Sequence, residues 1–212
     1  MKLRNRESLP VLGGFLGGIS LLAAVVLALV SQLTAEPIAR AAEKERQQVF
    51  HRLGLPDFDR AGDGEISGNI QFVPVFREDR KVGFVGQTSR AGYGGSIEVL
   101  AGLDLDGTVT GVQVLRHKET PGLGANVCDR KFQRTVLNLS EKAPEIPANR
   151  MLDQFSGKKA VPGKIWKVTK DGGDVEYLTG ATVTSRAVTA AVNDIAAEFM
   201  LRQKNSGKES AE

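Results

Sequence analysis

Thr179-Gly180-Ala181-Thr182 sets two hydroxyls three positions apart around two residues with almost no side chain. A turn-rich run, Lys170-Asp171-Gly172-Gly173-Asp174, precedes them, and an amphipathic stretch begins near Ser185. The spacing predicts a hydroxyl-bearing loop at a helix N-terminus. Such an end offers unpaired N–H groups and the positive end of the helix dipole, which suits a phosphate. Gly180 and Ala181 leave Thr182 open to a ligand or to an enzyme that modifies it. A Thr before a helix also serves as a plain N-cap, and the spacing alone leaves both readings open. Thr hydroxyls are poor nucleophiles without an adjacent base or metal, and this segment supplies neither.

A longer string points one way. Thr179-Gly180-Ala181-Thr182-Val183-Thr184-Ser185-Arg186-Ala187-Val188, with Asp174 upstream, resembles the flavinylation motif of the FMN-binding domain family. His117-Lys118-Glu119-Thr120-Pro121-Gly122-Leu123-Gly124 is similar to that family's Glu-Thr-Pro-Gly-Leu-Gly loop. Gly92-Tyr93-Gly94-Gly95-Ser96-Ile97 resembles its glycine-rich approach to a strand. The three motifs stand in the family's order behind a membrane anchor. The resemblance runs roughly from the anchor to the helix after Thr182, while residues 128–163 carry no motif.

The resemblance implies FMN joined covalently through its phosphate to Thr182. The attachment is made by a separate flavin transferase using FAD. It further implies cofactor contacts from Thr179, Gly180, Ala181, Tyr93, Gly94, Glu119, Thr120, Gly122, Leu123 and Lys164. The isoalloxazine ring would lie against the tight backbone of residues 120–124 and the 93–96 segment. The chain would then relay electrons as a subunit of a Rnf-type ion-translocating electron transport complex, linked to ferredoxin and NAD. It would count as an enzyme only as part of that redox-driven translocase, with no catalytic residue of its own. Sodium-pumping NADH:quinone reductases share the domain, and the motifs do not separate the two. A cofactor-free, anchored assembly subunit is the rival from another class.

Other residues have two readings each. Tyr93 stacks on flavin or packs at the rim; Trp166 belongs to the core or the rim. Lys164 and Lys167 lie near the motif in sequence and can meet phosphate or flavin. His117 shuttles protons or packs at a strand end, and Arg186 meets the phosphate or faces solvent. Cys128 is a redox thiol or a buried apolar group. As the only cysteine among 212 residues, it excludes an intrachain disulfide and any zinc or iron–sulfur site built on this chain's own thiolates. No metal is assigned. A net charge of +3 without a basic, aromatic-interleaved stripe argues against nucleic-acid binding. There is no nucleophile elbow or metal-ligand cluster to suggest a hydrolase.

The elements that must position these groups follow from patterning. Residues 11–33 carry no charge and are long enough to cross a bilayer of about 30 Å. Lys2, Arg4 and Arg6 precede them, predicting a cytoplasmic N-terminus, residues 1–10, and a periplasmic main domain at a bacterial inner membrane. A cleaved signal peptide is the competing reading, but the apolar run exceeds the usual length of one. A connecting helix is expected over 34–56, a loop over 57–68, and the FMN-binding domain over 57–202. Strands are expected at 70–77, 82–86, 96–103, 108–115 and 164–169, with the middle turn at Asp104-Leu105-Asp106-Gly107. Helical character is expected over 129–139, 150–155 and 185–201, before a disordered tail at 203–212. The fold class is α+β: one transmembrane helix, then an antiparallel sheet with flanking helices.

Overall fold

The computed structural model describes residues 8–55, 58–131 and 147–209. Helix α1 (Ser8–His51) opens the chain. Within it, Leu12–Pro37 is 26 residues of apolar helix, none of it buried inside the protein. At 1.5 Å per residue that is about 39 Å, enough to span a hydrocarbon core with some tilt. The expected anchor and connecting helix are one continuous helix. The connecting stretch is rich in Ala, Glu, Arg and Gln, which are strong helix formers.

The chain divides into two units, Met1–Gln48 and Val49–Glu212. The second is built on six strands: β1 (Arg60–Ala61), β2 (Glu65–Ser67), β3 (Ile70–Arg77), β4 (Arg80–Ala91), β5 (Ser96–Asp104) and β6 (Val109–Arg116). All pairs are antiparallel, in the order β1-β3-β4-β5-β6, with β2 also pairing with β3. The expected meander is present. β4 runs well past Gly86 because it stays paired with β5 from Gly83 opposite Asp104 to Ala91 opposite Ser96. The expected loop before β3 contains two short edge strands. Glu78 and Asp79 both take positive φ, 48° and 64°, in the two-residue connection between β3 and β4. That is the primed turn whose twist matches a hairpin. At the next turn the Asp104 carboxylate accepts from the amides of Asp106 (2.9 Å) and Thr108 (2.7 Å).

Alternation along the strands gives the sheet two apolar faces. Phe72, Val99, Ala101, Leu103 and Val112 face one core, packed with Val188, Ala191, Val192, Ile195 and Phe199 of helix α4 (Thr182–Glu209). Val73, Val75, Val85 and Leu100 face a second core with Val49, Phe50, Leu53 and Leu55. Helix α4 starts three residues before the position its apolar spacing marks and continues to Glu209. Residues 203–209 are therefore helical rather than a disordered tail. Gln, Lys and Glu are good helix formers, and Gln203 Nε2 donates to the Leu105 carbonyl at 2.6 Å.

Between sheet and α4 lie two short helices, α2 (Gly124–Cys128) and α3 (Arg150–Asp153). The latter matches the short helix expected near residue 150. Asn149 caps it, accepting from the Met151 amide at 2.9 Å. The helical segment expected over 129–139 falls largely outside the described residues. The strand expected at 164–169 is not one. It contributes a single parallel bridge, Val168 to Val175, and a 3-10 turn at Thr169–Asp171. The Trp166 amide donates to Asn193 Oδ1 at 2.9 Å, and Asn193 Nδ2 donates to the Trp166 carbonyl at 2.7 Å. A side chain of α4 thus takes the backbone bonds that a neighbouring strand would have taken.

Candidate functional site

Gly180 takes φ +86°, which favours glycine, and turns the chain into α4. The Ala181 amide donates to the Leu178 carbonyl at 2.9 Å, and the Ser185 amide to the Ala181 carbonyl at 3.0 Å. Thr182 is therefore the first residue of α4 and not its cap. The polar work at this end falls to Ser185, whose Oγ donates to the Ala181 carbonyl (3.0 Å) and accepts from the Leu178 amide (3.2 Å). The half-buried Thr182 has no hydrogen-bond partner for its hydroxyl among the described residues. The amides of Thr182, Val183 and Thr184 have no acceptor there either. A free hydroxyl thus stands beside three free N–H groups at the positive end of a 28-residue helix.

Two loops face this end. Residues 119–124 fold back on themselves, the Leu123 and Ala125 amides donating to the Thr120 carbonyl at 3.2 and 3.1 Å. Gly122 sits at the corner with φ +80°, its carbonyl accepting from Asn126 Nδ2 at 2.8 Å. The second loop, residues 92–95, closes through the Gly92 amide and the Gly95 carbonyl at 2.7 Å. Glu119 joins all three segments. Its side chain is 94 % removed from solvent, with 6 % exposed. Oε1 accepts from the Gly94 amide at 3.0 Å and Oε2 from Thr184 Oγ1 at 2.7 Å. Thr184 is itself 1 % exposed. Gly124 makes the approach possible, because a Cβ there would lie 2.3 Å from Glu119 Oε2 and 2.7 Å from Thr184 Oγ1.

Between the segments lies a cleft of about 340 Å³. Tyr93, Glu119, Thr120, Leu123 and Gly124 form one side, and residues 180–184 the other. Tyr93 stands 76 % exposed at its mouth, and Leu123 is also exposed. The structure so brings together Tyr93, Glu119, Thr120, Leu123, Gly180, Ala181 and Thr182 of the expected site. Gly94 lies just behind the wall as a donor to Glu119, Gly122 at the loop corner, and exposed Thr179 next to Gly180. Lys164 is elsewhere. It lines a separate groove of about 680 Å³ with Trp166, Ala196 and Met200, far along α4 from Thr182. Nearness in sequence misled, because the segment around Trp166 is pinned to Asn193 and not to the start of α4. That groove is larger but lined by apolar residues, two lysines and a glutamine; the hydroxyls and the carboxylate are in the smaller cleft. Thr184 and Gly124 belong to the site although only their place in the motif strings marked them.

Several flanking groups are already engaged. The Glu119 amide donates to His117 Nδ1 at 3.2 Å, so Nε2 carries the hydrogen shared with Asp129 Oδ1 at 2.7 Å. His117 braces the base of the loop and is not in the cleft wall. Burial works to raise the Asp129 carboxyl, but hydrogen bonds from Lys131 and His117 hold it below the usual range. Burial pushes the Cys128 thiol up to about 12, helped by the Glu119 and Asp129 charges, so it is a packed apolar group and not a redox thiol. Arg186 holds Asp171 through Nε (2.8 Å) and an Nη (2.5 Å), and Lys158 holds Asp174 at 2.7 Å. Arg186 is thus committed to the loop before the motif.

The cleft suits a nucleotide-like group. Its volume falls within the range of small-molecule sites, its floor is backbone and small residues, and a free hydroxyl with free amides stands at one end. Comparison with known proteins agrees. Residues 92–197 match the FMN-binding domain. A protein of Shewanella amazonensis (strain ATCC BAA-1098 / SB2B), named as the G-type subunit of an ion-translocating oxidoreductase complex, is 32 % identical over 194 residues, covering 85 % of this chain and 83 % of its own. Proteins with the same name from Cereibacter sphaeroides (strain ATCC 17029 / ATH 2.4.9) and Stutzerimonas stutzeri are 33 % and 32 % identical. Those alignments cover 90 % and 96 % of this chain, and 84 % and 85 % of the relatives.

Proposed function

This chain belongs to the FMN-binding domain family, and from that premise we propose that it is the electron-carrying flavin subunit of a membrane-bound ion-translocating oxidoreductase complex. Its FMN is attached at Thr182, its electron partners are linked to ferredoxin and NAD, and its other partners are the remaining subunits. The observation that carries this reading is the cleft that joins Thr182, with its unpartnered hydroxyl, to the Glu119–Gly124 loop and Tyr93.

Each residue has a physical task. Thr182 Oγ1 bonds to the phosphorus of the FMN half of FAD, the bond from that phosphorus to AMP breaks, and AMP leaves with the bonding electrons. The hydroxyl proton passes to a base of the flavin transferase, since no base adjoins Thr182 in this chain. The resulting phosphodiester carries about one negative charge, which the amides of Thr182, Val183 and Thr184 and the helix dipole stabilise. Leu123 and Tyr93 offer apolar surface at the mouth, and Thr120 a hydroxyl. Bound FMN supplies one- and two-electron redox chemistry that no side chain here has. The α1 span holds the domain at the membrane, with the N-terminus cytoplasmic and the domain periplasmic. One helix alone cannot form an ion path.

The test is the intact mass of chain produced together with a flavin transferase. The wild type should gain the mass of FMN less one water and fluoresce in a denaturing gel. T182A should gain nothing, and T182S should keep the adduct. An adduct retained by T182A would refute the attachment site; a colourless, unmodified wild type would refute the flavin reading.

A further inference from the structure

Glu119 is placed by the family resemblance among residues that touch the cofactor, yet its oxygens are not free to do so. Oε1 accepts from the Gly94 amide and Oε2 from Thr184 Oγ1. Both oxygens accept from the protein, the bonding pattern of an ionised carboxylate. The charge is deeply buried and forms part of the cleft wall. It has no ion-pair partner, and no Lys, Arg or His lines the cleft among the described residues. Its counterweights are two hydrogen bonds and the partial charge of a helix end.

We infer that Glu119 is a fixed, buried negative charge that holds down the reduction potential of the group in this cleft, and that Thr184 sets how strongly it does so. The inference rests on the reading of the cleft as a flavin site. Two-electron reduction of the ring with uptake of one proton adds one negative charge to it. An uncompensated carboxylate in a poorly solvated wall opposes that charge far more than one in water does. The Thr184 hydroxyl, donating to the same carboxylate, partly offsets it. Removing the charge therefore raises the potential, and removing the donor while keeping the charge does not.

Glu119 and Thr184 also form one latch between loops, so two variants of opposite electrostatic sign are needed. E119Q keeps shape and bonding. Its amide oxygen can accept from Gly94, and its NH₂ can donate to Thr184 Oγ1, which turns to accept. T184V removes the donor and leaves the charge. The full chain in detergent, carrying its flavin, is titrated against mediator dyes, and the potential is read from flavin absorbance. Partial loading does not affect that reading. E119Q should favour the reduced form at least tenfold, a rise of about 30 mV for a two-electron couple. T184V should leave the potential unchanged or lower it. A merely structural latch would move both variants the same way, and that result would overturn the inference. So would an unchanged E119Q, or an E119Q that carries no flavin at all, which would place Glu119 in attachment instead. A wild type without a flavin adduct would instead sink the flavin reading itself, a different outcome seen by mass before any titration.

Discussion

Single residues here are governed by what already satisfies them. The motif string marks Thr182, but not that its hydroxyl is free because Ser185 caps the turn in its place. That division depends on which residue begins α4, and apolar spacing cannot locate a helix start to within a turn. Glu119 was legible as a site residue, while its engagement by Thr184 was not. A contact between positions 65 residues apart has no local signature. Cys128 allows a direct check of burial. With its thiol pushed up to about 12, its thiolate fraction at pH 8 is on the order of a thousandfold below that of an ordinary cysteine. Iodoacetamide labelling followed by mass should be correspondingly slow in the folded chain and fast in urea. Rapid labelling of folded protein would mean the thiol is not enclosed.

At the level of elements, periodicity revealed the meander and the long amphipathic helix because their faces alternate or repeat against a core. It failed at 164–169, where Ile165, Trp166 and Val168 look like a strand but their backbone partner is the Asn193 side chain. The seating of α4 on the sheet depends on Gly86, where a Cβ would lie 2.3 Å from Ile195 Cγ2. G86A should lose about 1–3 kcal/mol through overpacking. Adding I195V should recover part of that loss, a non-additivity measurable by urea denaturation. The loop before α4 predicts an acid response. Arg186 holds the Asp171 carboxyl, and Lys158 the Asp174 carboxyl, below their ordinary range. A depressed folded value means the contribution is fully present above the unfolded value near 3.9 and is lost as pH falls through the folded one. The urea midpoint should stay level from pH 7 to about pH 4 as far as these pairs are concerned, then fall. In D171N that fall should be shallower. Both pairs are solvent-exposed, so the difference should shrink in high salt.

For the whole molecule, the question is where the folded domain begins. Gly54 and Pro56 read as a helix stop, which sets the sequence-based boundary at residue 57. Packing sets it earlier. Val49, Phe50, Leu53 and Leu55 are buried against Val73, Val75, Val85 and Leu100. The Leu53 carbonyl accepts from Thr110 Oγ1 at 2.7 Å, and its backbone lies over Gly111, where a Cβ would come within 2.6 Å of that oxygen. A local stop signal says where a helix ends, not which side of the break belongs to the core, because only the sheet's second face decides that. Each of the four side chains contributes about 1.5–3 kcal/mol by burial, and together they rival the stability of an average domain, about 5–15 kcal/mol. A chain of residues 44–212 lacks the apolar span yet keeps this layer. It should be released from membranes and unfold in urea as one cooperative transition. A chain of residues 57–212 should be released too, but should expose the β3–β5 face, bind a hydrophobic dye and aggregate. Equal stability of the two would show that the second core is dispensable and that residue 57 is the true start of the fold.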